Sequence, residues 1–207
     1  MLFRSDLIAA GGGNYRGVAL VGEETTDVEL TTLDAGGVRA VRFHAIPHLA
    51  PMPGADFLKR LADRIRPLGW HILLHLMPDT LHLVDNFLGF GLPIVIDHMA
   101  RMDPKGGVEQ PQFKRLLHLV RDEGCWVKLG CADRVSRPPY KDTVPIARAL
   151  LEAVPDRTIW STDYPHVNHP APPDDAELVD LLLDVAPDQG LRQKLLVDNP
   201  HKLYRFG

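Results

Sequence analysis

Cysteine is scarce in this chain: Cys125 and Cys131 are the only two among 207 residues. They lie six positions apart around an apolar run. Side chains six apart on one strand share a face but stand roughly 20 Å apart at about 3.3 Å per residue. A disulfide would need the strand to fold back on itself. Two reduced, buried thiols are therefore expected, as in a cytoplasmic protein. Long apolar runs are also missing, which excludes a membrane span of the usual length. The opening M-L-F-R-S-D-L-I-A-A-G-G-G lacks the extended apolar core of a signal peptide. Runs of like charge are absent too. The 23 basic and 27 acidic residues are dispersed, for a net charge of -4, so neither nucleic acid nor an acidic membrane surface is an expected partner.

What remains is ordinary globular material, 45% hydrophobic and 24% charged. That supports a sizeable core in a single domain spanning 1–207. Six short β-favouring runs occur at 16–21, 38–44, 70–76, 93–98, 126–129 and 159–161. Between them lie stretches of helical period at 2–10, 26–35, 55–67, 111–123, 143–153 and 174–186. A final helical stretch at 188–205 is expected to break at Pro200. Leu58, Leu61, Ile65 and Leu68 show the three- and four-residue spacing. A further helix is expected after Pro78, with Leu81, Val84, Phe87 and Leu88 as its apolar face. Stretches 47–54 and 132–142 read as loops. Trp70, Trp126 and Trp160 fall at or near strand starts and read as packing residues.

This alternation predicts an α/β protein with βα units and a parallel sheet. Polar residues gather at the C-terminal ends of the runs, which favours a (β/α)-barrel, whose catalytic groups occupy that rim. A complete TIM barrel has eight strands in about 250 residues. Six runs in 207 residues give a partial barrel of about six βα units, with the first two missing.

Strand alternation puts Val38, Ala40, Arg42 and His44 on one face, and Leu73 with His75 on another. By the same rule Ile94 and Ile96 lead to His98, and Ile159 and Ser161 lead to Asp163. Each series is apolar first and ionisable last. Burying such groups without purpose is costly, although any one of them could be a hydrogen-bonded core residue or a turn former.

Five segments occur in order: G-V-R-A-V-R-F at 37–43, P-I-V-I-D-H-M-A-R at 93–101, W-V-K-L-G at 126–130, S-T-D-Y-P-H at 161–166 and N-P-H-K-L-Y-R-F at 199–206. Together they resemble the amidohydrolase-related TIM-barrel hydrolases, and most of all their 2-pyrone-4,6-dicarboxylate lactonase branch. The resemblance implies that His98 and Asp163 are catalytic. It further implies that Arg42, His75, Arg101 and Arg134 bind a carboxylated small molecule. The His-x-His motif that opens the family's first barrel strand is absent. By this resemblance the chain is truncated at its N-terminus, which would leave strand edges open, favour a homo-oligomer that covers them and weaken activity.

The lactonase branch works without a metal, so no cofactor is expected. The competing reading is a metal-dependent amidohydrolase or decarboxylase, with His75, His98, Asp163 and a water around zinc. A third reading is an inactive binding module. For lactone hydrolysis, Asp163 would serve as base toward water and His98 would polarise the carbonyl or orient that water. The arginines would clamp carboxylates through their planar fork. Tyr140 and Lys128 are candidate helpers, Lys128 being equally a residue that snorkels from the rim. His166 and His169, set between Pro165 and Pro170, read as a solvated loop pair.

Overall fold

Sheet and helix alternate along the chain as the hydrophobic pattern requires. A computed structural model describes residues 5–46 and 52–207. In order the elements are α1 (Ser5–Ala10), β1 (Gly17–Ala19), α2 (Asp27–Ala35), β2 (Val38–His44), α3 (Ala55–Ile65), β3 (His71–His75) and β4 (Ile94–Ile96). Then come α4 (Pro111–Arg121), β5 (Trp126–Leu129), α5 (Ala132–Val135), α6 (Val144–Ala153), β6 (Thr158–Trp160), α7 (Asp175–Val185), α8 (Gln189–Gln193) and α9 (Asn199–Tyr204). Residues 2–4 of the first expected helix and 47–51 of the expected loop lie outside the described residues.

The six strands form one sheet in the order β1-β2-β3-β4-β5-β6. The β1–β2, β2–β3 and β5–β6 pairings are parallel. Sequential order without reversal is that of a (β/α)-barrel segment. A doubly wound sheet reverses its order at a switch point. No helix among the described residues is long and apolar enough to cross a membrane.

The chain divides into two compact units. One comprises the described residues up to His75, with His82–Val95 and Pro200–Gly207; the other comprises Leu76–Leu81 and Ile96–Asn199. In the first, β2 and β3 run in register from Ala40 opposite His71 to His44 opposite His75. Phe57, Leu58, Leu61, Ala62 and Ile65 are the buried stripe of α3. Trp70, just before β3, is fully buried and donates its indole N–H to Asp34 Oδ1 at 2.8 Å. That meets the requirement that a buried indole find an acceptor. Gly37 carries φ +92°, and a Cβ there would stand 2.7 Å from Ile8 Cγ2, so the α2–β2 turn needs glycine.

The segment after Pro78 differs from expectation. It is a 3₁₀ helix over Pro78–Asn86, followed by a second over Leu88–Phe90. Leu81, Val84 and Phe87 are all buried while Leu88 is not. Their spacing is three, the 3₁₀ period, whereas an α-helical face also needs four-residue steps.

In the second unit, Phe113, Leu116, Leu119 and Val120 of α4 and Ile146, Ala147, Leu150 and Leu151 of α6 are buried. So are Leu178, Leu181, Leu182 and Val185 of α7. Trp160 ends β6 rather than starting it. It lines a cavity of about 30 Å³ with Leu129, Leu178 and Leu181. The stretch expected as a loop at 132–142 opens with the short helix α5. The break expected at Pro200 is a π turn over Lys194–Asp198, where the Asn199 N–H reaches back to Lys194 O. Proline supplies no N–H and its ring crowds the carbonyl four residues earlier; widening the preceding turn relieves both.

Asn199 itself joins that turn to β6. Its buried Nδ2 donates to Pro155 O at 2.8 Å and Thr158 O at 2.7 Å. Asn199→Ala leaves these acceptors without that partner and should cost about 2 kcal/mol. Urea midpoints of the two proteins measure it, and a difference below about 0.5 kcal/mol would show that other donors replace the amide.

Candidate active site

Strand β4 stops at Ile96, two residues earlier than expected, and His98 is not on its face. From His98 to Arg101 the backbone is left-handed, with φ of 53°, 52°, 52° and 50°. No glycine is present to make this easy, and each such residue costs roughly 1–2 kcal/mol. The turn persists because its neighbours over-determine it. His98, Met99 and Ala100 are buried, and Lys128 of β5 reaches the fully buried Asp97 at 3.0 Å. Strain of this kind collects where a side chain must be aimed, and here it aims His98. Lys128 is thus an ion-pair partner and does not snorkel.

Beyond β5, Gly130 allows a close approach of backbones. A Cβ there would meet Ser161 O at 2.6 Å. The exits of β5 and β6 therefore converge, and the next residues enter left-handed turns at Cys131 (φ 66°) and Asp163 (φ 72°). The result is a cluster around the Asp163 carboxylate. His98 Nε2 lies 3.3 Å from Asp163 Oδ1 and 3.4 Å from Asp97 Oδ2. The Cys131 thiol points at Asp163 Oδ2 from 3.9 Å, and Arg134 Nη2 lies 3.6 Å from the same oxygen. Asp163 is 25% exposed and is the open side of the cluster, with His98 at 3%.

Charge follows from this geometry. Burial pushes the Asp163 carboxyl upward, but the hydrogen bond and charge of His98, joined by Arg134, outweigh burial and hold it below the usual carboxylate range. Burial pushes the Cys131 thiol well up, and the charge of Asp163 adds to that. Arg101 opposes the shift, so its guanidinium acts on this cluster. Arg101 Nε is buried with no hydrogen-bond partner among the described residues.

A second group braces the Asp163 loop. Asp133, buried on α5, lies 3.5 Å from Arg134 Nε, 3.7 Å from His166 Nδ1 and 3.5 Å from His169 Nε2. His169 Nδ1 accepts the Ala171 N–H, so its Nε2 carries the proton that faces Asp133. Arg134 Nη2 also donates to Val167 O at 2.9 Å. His166 is buried, with Asp175 at 3.2 Å on its other nitrogen, so the expectation of a solvated pair fails.

The second unit thus assembles His98, Asp163 and Arg134 and adds Cys131, Asp97 and Asp133. The last three gave no signal in sequence, since their roles depend on turns that no strand pattern encodes. Arg42 and His75 lie in the first unit. There His75 ends β3, and His44 Nδ1 faces His75 Nδ1 at 3.1 Å. Tyr140 is buried, in a left-handed residue before α6. As for metal donors, His98, Cys131 and Asp163 each present one ligand atom within 4.8 Å of the others, a set that suits a divalent ion.

The histidine and aspartate paired beyond β4 and β6 lie past the C-terminal ends of strands, where (β/α)-barrels carry their active sites. Residues 2–206 match the amidohydrolase family model, and the chain belongs to that family. Among individual proteins, it is 39% identical over 212 residues to a 2-pyrone-4,6-dicarboxylate hydrolase of Comamonas testosteroni, covering 96% of this chain and 70% of that one. It is 36% identical to a 4-sulfomuconolactone hydrolase of Hydrogenophaga intermedia, with 96% and 68% covered. A crystal structure of a probable 2-pyrone-4,6-dicarboxylic acid hydrolase from Acinetobacter baumannii, with citric acid bound, superposes with a TM-score of 0.84 at 25% identity, covering 98% of this chain and 77% of that one.

Proposed function

We propose that this chain hydrolyses the ring ester of a carboxylated lactone, of the 2-pyrone-4,6-dicarboxylate or sulfomuconolactone type. The observation that carries the reading is the Asp163 carboxylate, kept ionised by His98 and Arg134 and open on one side. Asp163 takes a proton from water, and the hydroxide forms a bond to the lactone carbonyl carbon. The ring C–O bond then breaks, and the proton returns from Asp163 to the departing ring oxygen. His98, whose Nε2 faces Asp163 and Asp97, holds the base in place and does not itself touch the carbonyl in this scheme. Arg134 and Arg101 stabilise the developing oxyanion and the substrate carboxylate. Arg42 and His75 are assigned to substrate binding by the family resemblance, and a guanidinium fork such as that of Arg42 matches a carboxylate. The two lactone hydrolases named above support this substrate class, and no step requires a metal.

Loss of pyrone absorbance on incubation with 2-pyrone-4,6-dicarboxylate, with 4-sulfomuconolactone in parallel, tests the proposal. Absence of turnover on both would overturn it.

The acid limb of kcat/KM gives a second test. A base whose pKa is lowered in the folded protein stays ionised as pH falls through the ordinary carboxylate value of about 3.9. Activity should persist there and fall only below it, and the stability linked to this group should be lost over the same low range. Arg134→Gln should move the limb upward. A wild-type limb above about pH 5 would dismiss Asp163 as the titrating base.

A further inference from the structure

We infer that His98, Cys131 and Asp163 form a thiolate-containing site for a divalent ion of the zinc class, and that ion binding and base catalysis at Asp163 exclude each other. The argument starts from convergence. Three donors of different chemistry come from three separate segments: the left-handed turn after β4, the residue after Gly130 and the turn after β6. One atom of each lies within 4.8 Å of the others. The donor types are an imidazole, a thiol and a carboxylate, which together suit a borderline-soft cation.

The separations are close to those an ion would impose. Tetrahedral zinc with its usual bond lengths spaces N, S and O ligands roughly 3.3–3.7 Å apart. His98 Nε2 and Asp163 Oδ1 are 3.3 Å apart, and Cys131 Sγ and Asp163 Oδ2 are 3.9 Å apart. The two contacts use different oxygens of Asp163, so a single ion would draw the three donor atoms together from separations of up to 4.8 Å. Asp163 is 25% exposed, so a water could complete the coordination of such an ion. The fully buried Asp97 carboxylate, 3.4 Å from His98 Nε2, would offset part of the ion's charge. Coordination breaks the Cys131 S–H bond and releases that proton to solvent, so no other reactant is required.

The exclusion clause rests on the lactonase reading. A carboxylate oxygen bound to the ion cannot also take the proton of the attacking water. Zinc would therefore inhibit, where a catalytic metal would activate. The zinc set considered from sequence used His75, which lies in the other unit; Cys131 supplies the third donor instead.

Cobalt(II) titration of the chelator-treated full chain tests the site without reference to turnover. Wild type and Cys125→Ser should develop a thiolate-to-cobalt absorption band that zinc abolishes, and Cys131→Ser should lose it with at least a tenfold weaker affinity. Saturating zinc should slow alkylation of Cys131 at least tenfold in wild type, a readout that stands even if the serine variant does not fold. It should also lower turnover at least tenfold. Cobalt binding without the band, a band that follows Cys125, or unprotected Cys131 would overturn the site. Activation by zinc would overturn the exclusion. The two readings fail separately. An inactive protein with a Cys131-dependent band would leave the site and remove the lactonase assignment, and an active protein without the band would do the reverse.

Discussion

Asp163→Asn should lower kcat/KM for the lactone by about 10²–10⁴-fold, the range that general base catalysis usually supplies. The amide keeps the shape of the carboxylate and an oxygen for His98, but it cannot take a proton from water. KM should change little, because the base is not the group that holds substrate carboxylates. Stability should shift by only about 1 kcal/mol or less, since the side chain is a quarter exposed and its ion-pair contacts are long, at 3.3 and 3.6 Å. Turnover and melting temperature of the two proteins decide the matter. Turnover retained within tenfold would dismiss Asp163 as the base. A melting temperature lowered by more than about 10 °C would make the residue structural.

Asp97→Ala should be the most destabilising single change at this site. Asp97 has no exposed surface and holds Lys128, itself 15% exposed, at 3.0 Å. Removing one partner strands the other charge in a poorly solvated place, at a cost of about 3–5 kcal/mol. For a chain of this size that corresponds to a fall of roughly 6–20 °C in melting temperature. The loss would also free the turn from His98 to Arg101, whose four left-handed residues have little reason to stay left-handed without the anchor. Asp97→Ala combined with Lys128→Met should recover most of the stability, because no charge is then left unpaired, but not the activity, because His98 loses its aim. If the double variant is no more stable than the single one, Lys128 is not the partner that matters.

Much of this could be read from residue order. Six apolar runs bounded by Gly and Pro became six strands, with β2 and β5 at their expected limits. The reason is local. Strand and helix periods are properties of ten or so neighbouring residues, and this chain obeys them. The ionisable residues that follow the strands were legible for the same reason, since an apolar run that leads into His or Asp has few inexpensive explanations. The 3₁₀ helix after Pro78 was misjudged because Leu81, Val84 and Phe87 suit a three-residue period as well as one side of an α-helical one.

The site itself divides along the same line. Sequence alone singled out His98 and Asp163 as candidates, because their type and their place just after apolar runs are local facts. Tertiary structure decided how they meet. The left-handed turn that aims His98 is held by a buried ion pair from the next strand, and Gly130 matters only because Ser161 lies against it. Cys131 reads as an ordinary buried thiol until the exits of β5 and β6 converge and set it beside Asp163. Asp133 likewise gains its role from two histidines more than thirty residues away. Periodicity reports which face a side chain takes, but handed turns and convergent strand ends depend on contacts between segments distant in sequence, and those exist only once the chain has folded.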